Sequence, residues 1–256
     1  MDIRAFRGDR LHSASLRNPQ TILDLGTGTG IWAIDIDSAL NLTSEKISAH
    51  SPGKFPSASV IGNDLSLIQP SFIPVNLQFL IDDFEKEWMS KAWDYVHART
   101  LAGYVSKLRH HTMNSDPCHS CVRDWPLLMS RAFEHLRPSG YFEVVEFAMG
   151  AWSEDGSLGD DSPFMQYLQN LKSASEMTDR RLDIASELKP WMQQAGFRNV
   201  RQEVYRVPLG PWIEEDVIQQ CVSFILPESI EAYGLRLYTK VLDGVLKRRV
   251  ITLTRL

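Results

Sequence analysis

The residues in this chain best able to do chemistry surround one glycine-rich turn. Asp24-Leu25-Gly26-Thr27-Gly28-Thr29-Gly30 sets an acid two residues ahead of three alternating glycines. Thr21 to Leu25 is a short apolar run that reads as a buried strand, and residues 31–40 beyond the turn read as a helix packed on a sheet. A strand, a tight turn and a helix N-terminus bring backbone N–H groups and the positive end of a helix dipole beside a ligand. Alone, that describes any nucleotide-like ligand, or a plain strand–helix connection. Gly28-Thr29-Gly30-Ile31-Trp32-Ala33 even satisfies the G-x-G-x-x-A dinucleotide pattern. The acids tip the balance. Asp24 can meet the cationic amino group of a methionine moiety, whereas beside a pyrophosphate it would repel. Asp64, after Val60-Ile61-Gly62-Asn63, is placed to bind both hydroxyls of a ribose, with Leu65 next to it. Asp83, after Leu77 to Ile81, is placed to accept from an adenine amino group, with the Phe84 backbone beside it. Ligands of open α/β sheets bind at the carboxyl ends of the strands. Three acids at three successive strand ends therefore describe one site, and its expected cofactor is S-adenosylmethionine (SAM). The expected cofactor set is Asp24, Gly26, Thr27, Gly28, Gly30, Asp64, Leu65, Asp83, Phe84 and His97. Taken singly, Asp64 or Asp83 equally suits a helix N-cap or a solvated loop.

His97 ends the fourth apolar run, where a sulfonium would lie. An imidazole titrating near neutral pH makes it the candidate catalytic base, against a purely local hydrogen-bonding role. Three acceptor contacts are expected, each with a plainer alternative. Arg99 competes with a structural ion pair, Trp125 with core packing, and Glu146 with a solvated or salt-bridged carboxylate. Glu143 flanks the same strand. Cys118-His119-Ser120-Cys121, near His110 and His111, lacks a second C-x-x-C, so no metal site is expected.

Positioning these groups requires a regular scaffold. Ala58 to Gly62, Leu77 to Ile81 and Trp93 to His97 read as the second, third and fourth strands. Trp125, Leu128, Met129, Ala132, Phe133 and Leu136 share one helical face, and Pro138-Ser139-Gly140 forms a turn into a strand over Tyr141 to Phe147. Ile184, Leu188, Trp191, Met192 and Ala195 repeat the helical spacing, with Gly196 as a C′ residue. Phe197 to Val207 reads as a strand, Glu214 to Leu246 as helical with a break at Pro227, and Val250 to Leu253 as a short last strand. Alternating strands and helices imply an α/β, Rossmann-like fold: a mostly parallel sheet with helices on both faces, in one domain over residues 1–256. Polar, aperiodic insertions near 38–56 and 107–123 interrupt the rhythm, and 150–180 with 208–240 are expected to cover an acceptor pocket.

Asn18-Pro19-Gln20-Thr21 through Ile34-Asp35, together with Val60 to Ser66, Asp94-Tyr95-Val96-His97-Ala98-Arg99, Asp124-Trp125-Pro126 and Val207 to Trp212, resembles fungal LaeA-type methyltransferases, a class I SAM-dependent family. The resemblance implies a seven-strand SAM-binding sheet and a role in fungal secondary metabolism. Members either methylate a pathway intermediate or act as nuclear regulators of metabolite gene clusters. Against that pattern the chain reads as abbreviated at both ends. His97-Ala98-Arg99-Thr100 also stands where many amino-directed DNA and glutamine methyltransferases carry Asn/Asp-Pro-Pro-Tyr/Phe.

The whole chain agrees with a folded domain. Its 256 residues are 43% apolar and 23% charged, ordinary proportions for a globular protein. The net charge of −5 argues against broad contact with nucleic acid or anionic membrane. Three Cys fit a reducing compartment, no apolar run approaches the roughly 18 residues a membrane helix needs, and Met1 to Leu16 lacks a secretory core. A small-molecule acceptor and a cytoplasmic location are expected, or protein partners and the nucleus if the chain is regulator-like.

Overall fold

The computed structural model describes residues 10–38, 58–88, 92–102, 122–153, 155–177, 181–208 and 250–255. The expected strands come first in the chain: β1 (Thr21–Leu25), β2 (Ser59–Asp64), β3 (Leu77–Ile81) and β4 (Trp93–Arg99), with α1 (Ile31–Ser38) after β1. Then follow α2 (Trp125–His135), β5 (Leu136–Trp152), α3 (Pro163–Glu176), α4 (Leu188–Ala195), β6 (Glu203–Pro208) and β7 (Val250–Arg255). They form one seven-stranded sheet in the order β3-β2-β1-β4-β5-β7-β6. The neighbours from β3 to β5 pair in parallel, and β7 lies antiparallel to both β5 and β6. After β1 the chain steps outward to β2 and β3, then crosses back to β4. The order reverses between β1 and β4, and the crevice of an open α/β sheet lies at such a reversal.

Alternation along the strands gives the sheet two unlike faces. Leu23, Leu25, Val96, Ala98, Phe142 and Val144 join α2 and α4 in one apolar core. Ile22, Val60 and Tyr95 point the other way, to Trp32, Ala33 and Ile36 of α1. The amphipathic α2 buries Trp125, Leu128, Met129 and Ala132, and its N-cap Asp124 accepts from the Leu127 amide at 2.9 Å. The N-terminal stretch also packs on the α1 face: Leu11, Ala14 and Leu16 lie against that cluster.

Several boundaries differ from the sequence reading. β2 runs on to Asp64 and β4 to Arg99, so both residues belong to the sheet. α2 stops at His135, and β5 starts at once through the Pro138-Ser139-Gly140 turn, with Ser139 at φ +69°. β6 begins only at Glu203 rather than Phe197. α4 keeps only the second half of the expected helix and ends on Gly196 in the left-handed region, as expected. The stretch 150–180 was expected only as pocket cover, yet it holds the helix α3. That start was legible: Ser162 caps the Met165 amide at 3.3 Å and Pro163 opens the first turn. Most of the insertion at 38–56, most of that at 107–123 including the Cys118–Cys121 stretch, and the helical reading over 214–246 lie outside the described residues.

Candidate functional site

β1 delivers Asp24 and the glycine turn to the reversal point of the sheet. In the register, Gly62, Asp24, His97 and Glu143 form one row across β2, β1, β4 and β5. All three polar members are buried. Asp24 Oδ2 accepts from Thr27 Oγ1 at 2.6 Å, and Asp24 Oδ1 lies 2.7 Å from His97 Nδ1. A nitrogen facing a carboxylate carries the proton, so His97 donates through Nδ1. Burial holds the imidazole pKa below its ordinary value against the opposing pull of Asp24, so the ring is neutral at neutral pH. Its face stacks on Trp32 at a centroid distance of 3.7 Å, and Nε2 has no hydrogen-bond partner among the described residues.

The amides of the turn are already engaged within the protein. Gly26 N donates to Asn63 Oδ1 at 3.3 Å, Thr27 N to Asn63 O at 2.8 Å, Gly28 N to Asp64 Oδ2 at 2.9 Å, and Gly30 N to Thr27 O at 2.9 Å. Gln69 Nε2 donates to Gly28 O at 2.6 Å. A phosphate-cradling loop presents such amides free to its ligand; here they tie the turn to the end of β2. Two glycines are required for different reasons. Gly26, at φ +59°, has no room for a side chain, because a Cβ there would lie 2.4 Å from Leu101 Cδ2. At Gly28, φ +56°, no described residue lies within 4 Å of that position. The turn is packed from below at Gly26 and open at Gly28.

Asp64 is buried, and its Oδ1 also accepts from Ser66 N at 2.9 Å. Leu65 beside it is half-buried. Asp82 N donates to Asp64 O at 3.0 Å and joins the end of β3 to that of β2. Asp83, half-buried, accepts from Glu85 N at 3.0 Å, and Phe84 is buried with its ring edge 3.5 Å from the Cβ position of Gly26. Asp24, Thr27 and His97 therefore form one hydrogen-bonded group and Gly28 with Asp64 a second, adjoining along the chain, with Asp83 and Phe84 nearby. Asn63, which bonds two amides of the turn, was missed. An Asn before a strand-end acid carries no pattern of its own.

The other expected site residues have different surroundings. His97 is fully buried between Asp24 and Trp32. Trp125 packs in the core with α4 on the opposite face, because it lies on the apolar stripe of α2. Arg99 is half-buried at the end of β4, opposite Val145. Glu146 is buried, has no salt-bridge partner among the described residues, and accepts from Leu101 N at 2.5 Å and Ala102 N at 3.2 Å. Burial pushes its pKa up to about 8, overriding the amides that favour the anion. Glu143 Oε2 anchors the N-terminal stretch, accepting from Ser13 N at 2.8 Å, Ala14 N at 3.3 Å and Tyr95 Oη at 3.1 Å. Among the described residues no group of three or more His, Cys, Asp or Glu is arranged to hold a metal, and no helix is long and apolar enough to cross a membrane.

Comparison with known proteins agrees with this frame. "Methyltransferase pytC" of Aspergillus terreus is 34% identical over 239 residues, 91% of this chain and 64% of that protein. "Secondary metabolism regulator laeA" of Aspergillus fumigatus is 32% identical over 88% of this chain and 54% of its own length. The chain thus spans between about half and two thirds of these relatives. In fold it is similar to the cyclopropane synthase MmaA2 of Mycobacterium tuberculosis, at a TM-score of 0.52 and 14% identity, covering 99% of this chain and 81% of that one. A family model described as a methyltransferase domain matches residues 3–202, and the chain belongs to that family.

Proposed function

We propose that the chain binds SAM across the ends of β1, β2 and β3 and transfers its methyl group to a small-molecule intermediate of fungal secondary metabolism. The observation that carries this reading is the engagement of the loop amides. With Gly26, Thr27, Gly28 and Gly30 N–H groups bonded inside the protein, the turn offers a dinucleotide pyrophosphate few donors. It offers carboxylates instead, which suits a ligand bearing a ribose diol, an adenine amino group and an ammonium, and no phosphate. The open space above Gly28 admits such a ligand close to the backbone.

When bound, SAM supplies an already activated methyl, so the protein's task is to orient and to exclude water. Asp64 and Asp83 keep unused lone pairs for ribose and adenine donors. Asp24 acts on the loop through Thr27, and its negative charge beneath the turn favours a cation above it. His97 keeps Asp24 in place rather than taking a proton from the acceptor. The relative named methyltransferase pytC supports methyl transfer. The relatives named secondary metabolism regulator, and one in Emericella nidulans named "Protein-methionine methyltransferase laeA" at 31% identity, support a second one. In that reading the chain works through protein partners in the nucleus, with little or no methyl transfer to metabolites. The small-molecule reading carries a cytoplasmic location with it.

Calorimetry with SAM, S-adenosylhomocysteine and NAD tests the cofactor. Micromolar binding of the first two without NAD is expected, and NAD binding alone overturns the reading. Transfer of labelled methyl from SAM in a fungal extract, fractionated into metabolites and protein, separates the two acceptor classes.

A further inference from the structure

The strand that carries His97 ends in a turn whose backbone is strained. Thr100 has φ +56°, a left-handed conformation that is rare and costly for a β-branched residue. Such a conformation persists only where its surroundings impose it. Here they do so on several sides. Thr100 N donates to Val145 O at 2.9 Å, Leu101 N and Ala102 N both donate to Glu146 Oε1, and Leu101 O accepts from Val122 N at 3.3 Å. The outcome is the placement of one side chain. Leu101 is 3% exposed, and its Cδ2 lies 2.4 Å from where a Cβ of Gly26 would stand. The first glycine of the loop thus rests on Leu101.

We propose that Glu146 is a positioning residue for the cofactor site: its buried carboxyl group holds the strained Thr100–Ala102 turn shut, and through Leu101 that turn sets the seat of the glycine loop at Gly26. Glu146 touches neither cofactor nor acceptor in this role. A buried carboxyl oxygen that accepts from two backbone amides of a turn has the geometry of a clasp. The inference rests on the SAM reading for its effect on affinity, but not for its effect on the turn.

The test uses the full chain, with S-adenosylhomocysteine as the probe and amide exchange as a cofactor-free readout. Glu146→Ala removes the acceptor. It should weaken binding about tenfold or more and speed exchange across both 98–102 and 24–30. Glu146→Gln keeps a carbonyl oxygen able to accept both amides and should stay within about threefold of the parent. Thr100→Gly removes the strain that the clasp opposes, so adding it to Glu146→Ala should recover a large part of the lost affinity. Wild-type affinity in Glu146→Ala, equal losses in the Ala and Gln variants, or no recovery with Thr100→Gly would each overturn the proposal. If Glu146→Ala does not fold, Leu101→Ala decides. It must weaken binding with Glu146 intact, and unchanged affinity sinks the clasp. Should the parent chain not bind the probe, the SAM reading fails, while the clasp still stands or falls on whether exchange at 24–30 rises in Glu146→Ala.

Discussion

The two faces of the central sheet come from the same strands and solve different problems. On the side of α2 and α4, successive inward residues of β1, β4 and β5 are Leu23, Leu25, Val96, Ala98, Phe142 and Val144, a continuous apolar core. On the α1 side, the positions between them near the strand ends are Asp24, His97 and Glu143, all buried and held by Thr27, Trp32, Tyr95 and the Ser13 and Ala14 amides. Burying polar groups costs stability unless each finds a partner. The α1 face accepts that cost next to the glycine turn, at the point where the strand order reverses. The difference teaches that one face holds the sheet together and the other holds a loop in shape.

The largest expected effect isolates the open part of that loop. Gly28→Val puts a β-branched side chain at φ +56° into space that no described residue occupies. Binding of S-adenosylhomocysteine should fall by about 100-fold or more in calorimetry, while circular dichroism still reports a folded chain. Retained affinity would remove the ligand from above Gly28. On the opposite face, Leu128→Ala should lower unfolding stability by about 2–5 kcal/mol through a cavity beneath the sheet. Affinity measured well below the melting temperature should hardly move. A drop in affinity as large as that in stability would erase the distinction between the faces.

A pair of substitutions at His97 probes the polar row more gently. His97→Phe keeps an aromatic ring against Trp32 but withdraws the donor from Asp24, and affinity should fall about tenfold. His97→Asn carries an N–H near the position of Nδ1 and should fall less. If Phe and Asn behave alike, the hydrogen bond to Asp24 does not transmit to the loop.

The remaining expected effect is a slope with pH. Glu146 follows Val144 by one alternation and so sits at the rim of the apolar face, where burial raises its pKa to about 8 from an ordinary 4.5. Between those values the folded chain binds a proton that the unfolded chain has released, so stability should decline as pH rises from about 4.5 to about 8. One such group contributes at most about 1.4 kcal/mol per pH unit. Thermal melts of Glu146→Gln should decline less steeply than the parent over that window. Parallel curves would show that Glu146 ionises normally in the folded chain.

Much of this arrangement was legible in the residues. The apolar runs of β1, β3 and β4 and the stripe of α2 follow from periodicity, which local chain geometry imposes. The glycine pattern with Asp24, Asp64 and Asp83 marked the strand ends, because a turn that must be tight and an acid that must follow a strand leave their imprint in residue type and spacing. Asn63, Leu101 and the Ser13–Ala14 stretch left no such imprint, since any small polar, apolar or backbone group would read the same in isolation.

Local spacing along the chain thus gave the order of the strands, the helices other than α3, and the acids beside the glycine turn, for these depend on neighbours in sequence. Only the tertiary structure decided what those groups face. It turned the loop amides inward to Asn63 and Asp64, and buried His97 against Trp32. It also put Glu146 under the β4 turn rather than at an acceptor. Hydrogen-bond partners and burial are set by residues about 35 to 75 positions apart brought together by parallel pairing. No local pattern encodes which of a carboxylate's possible donors will be the one beside it.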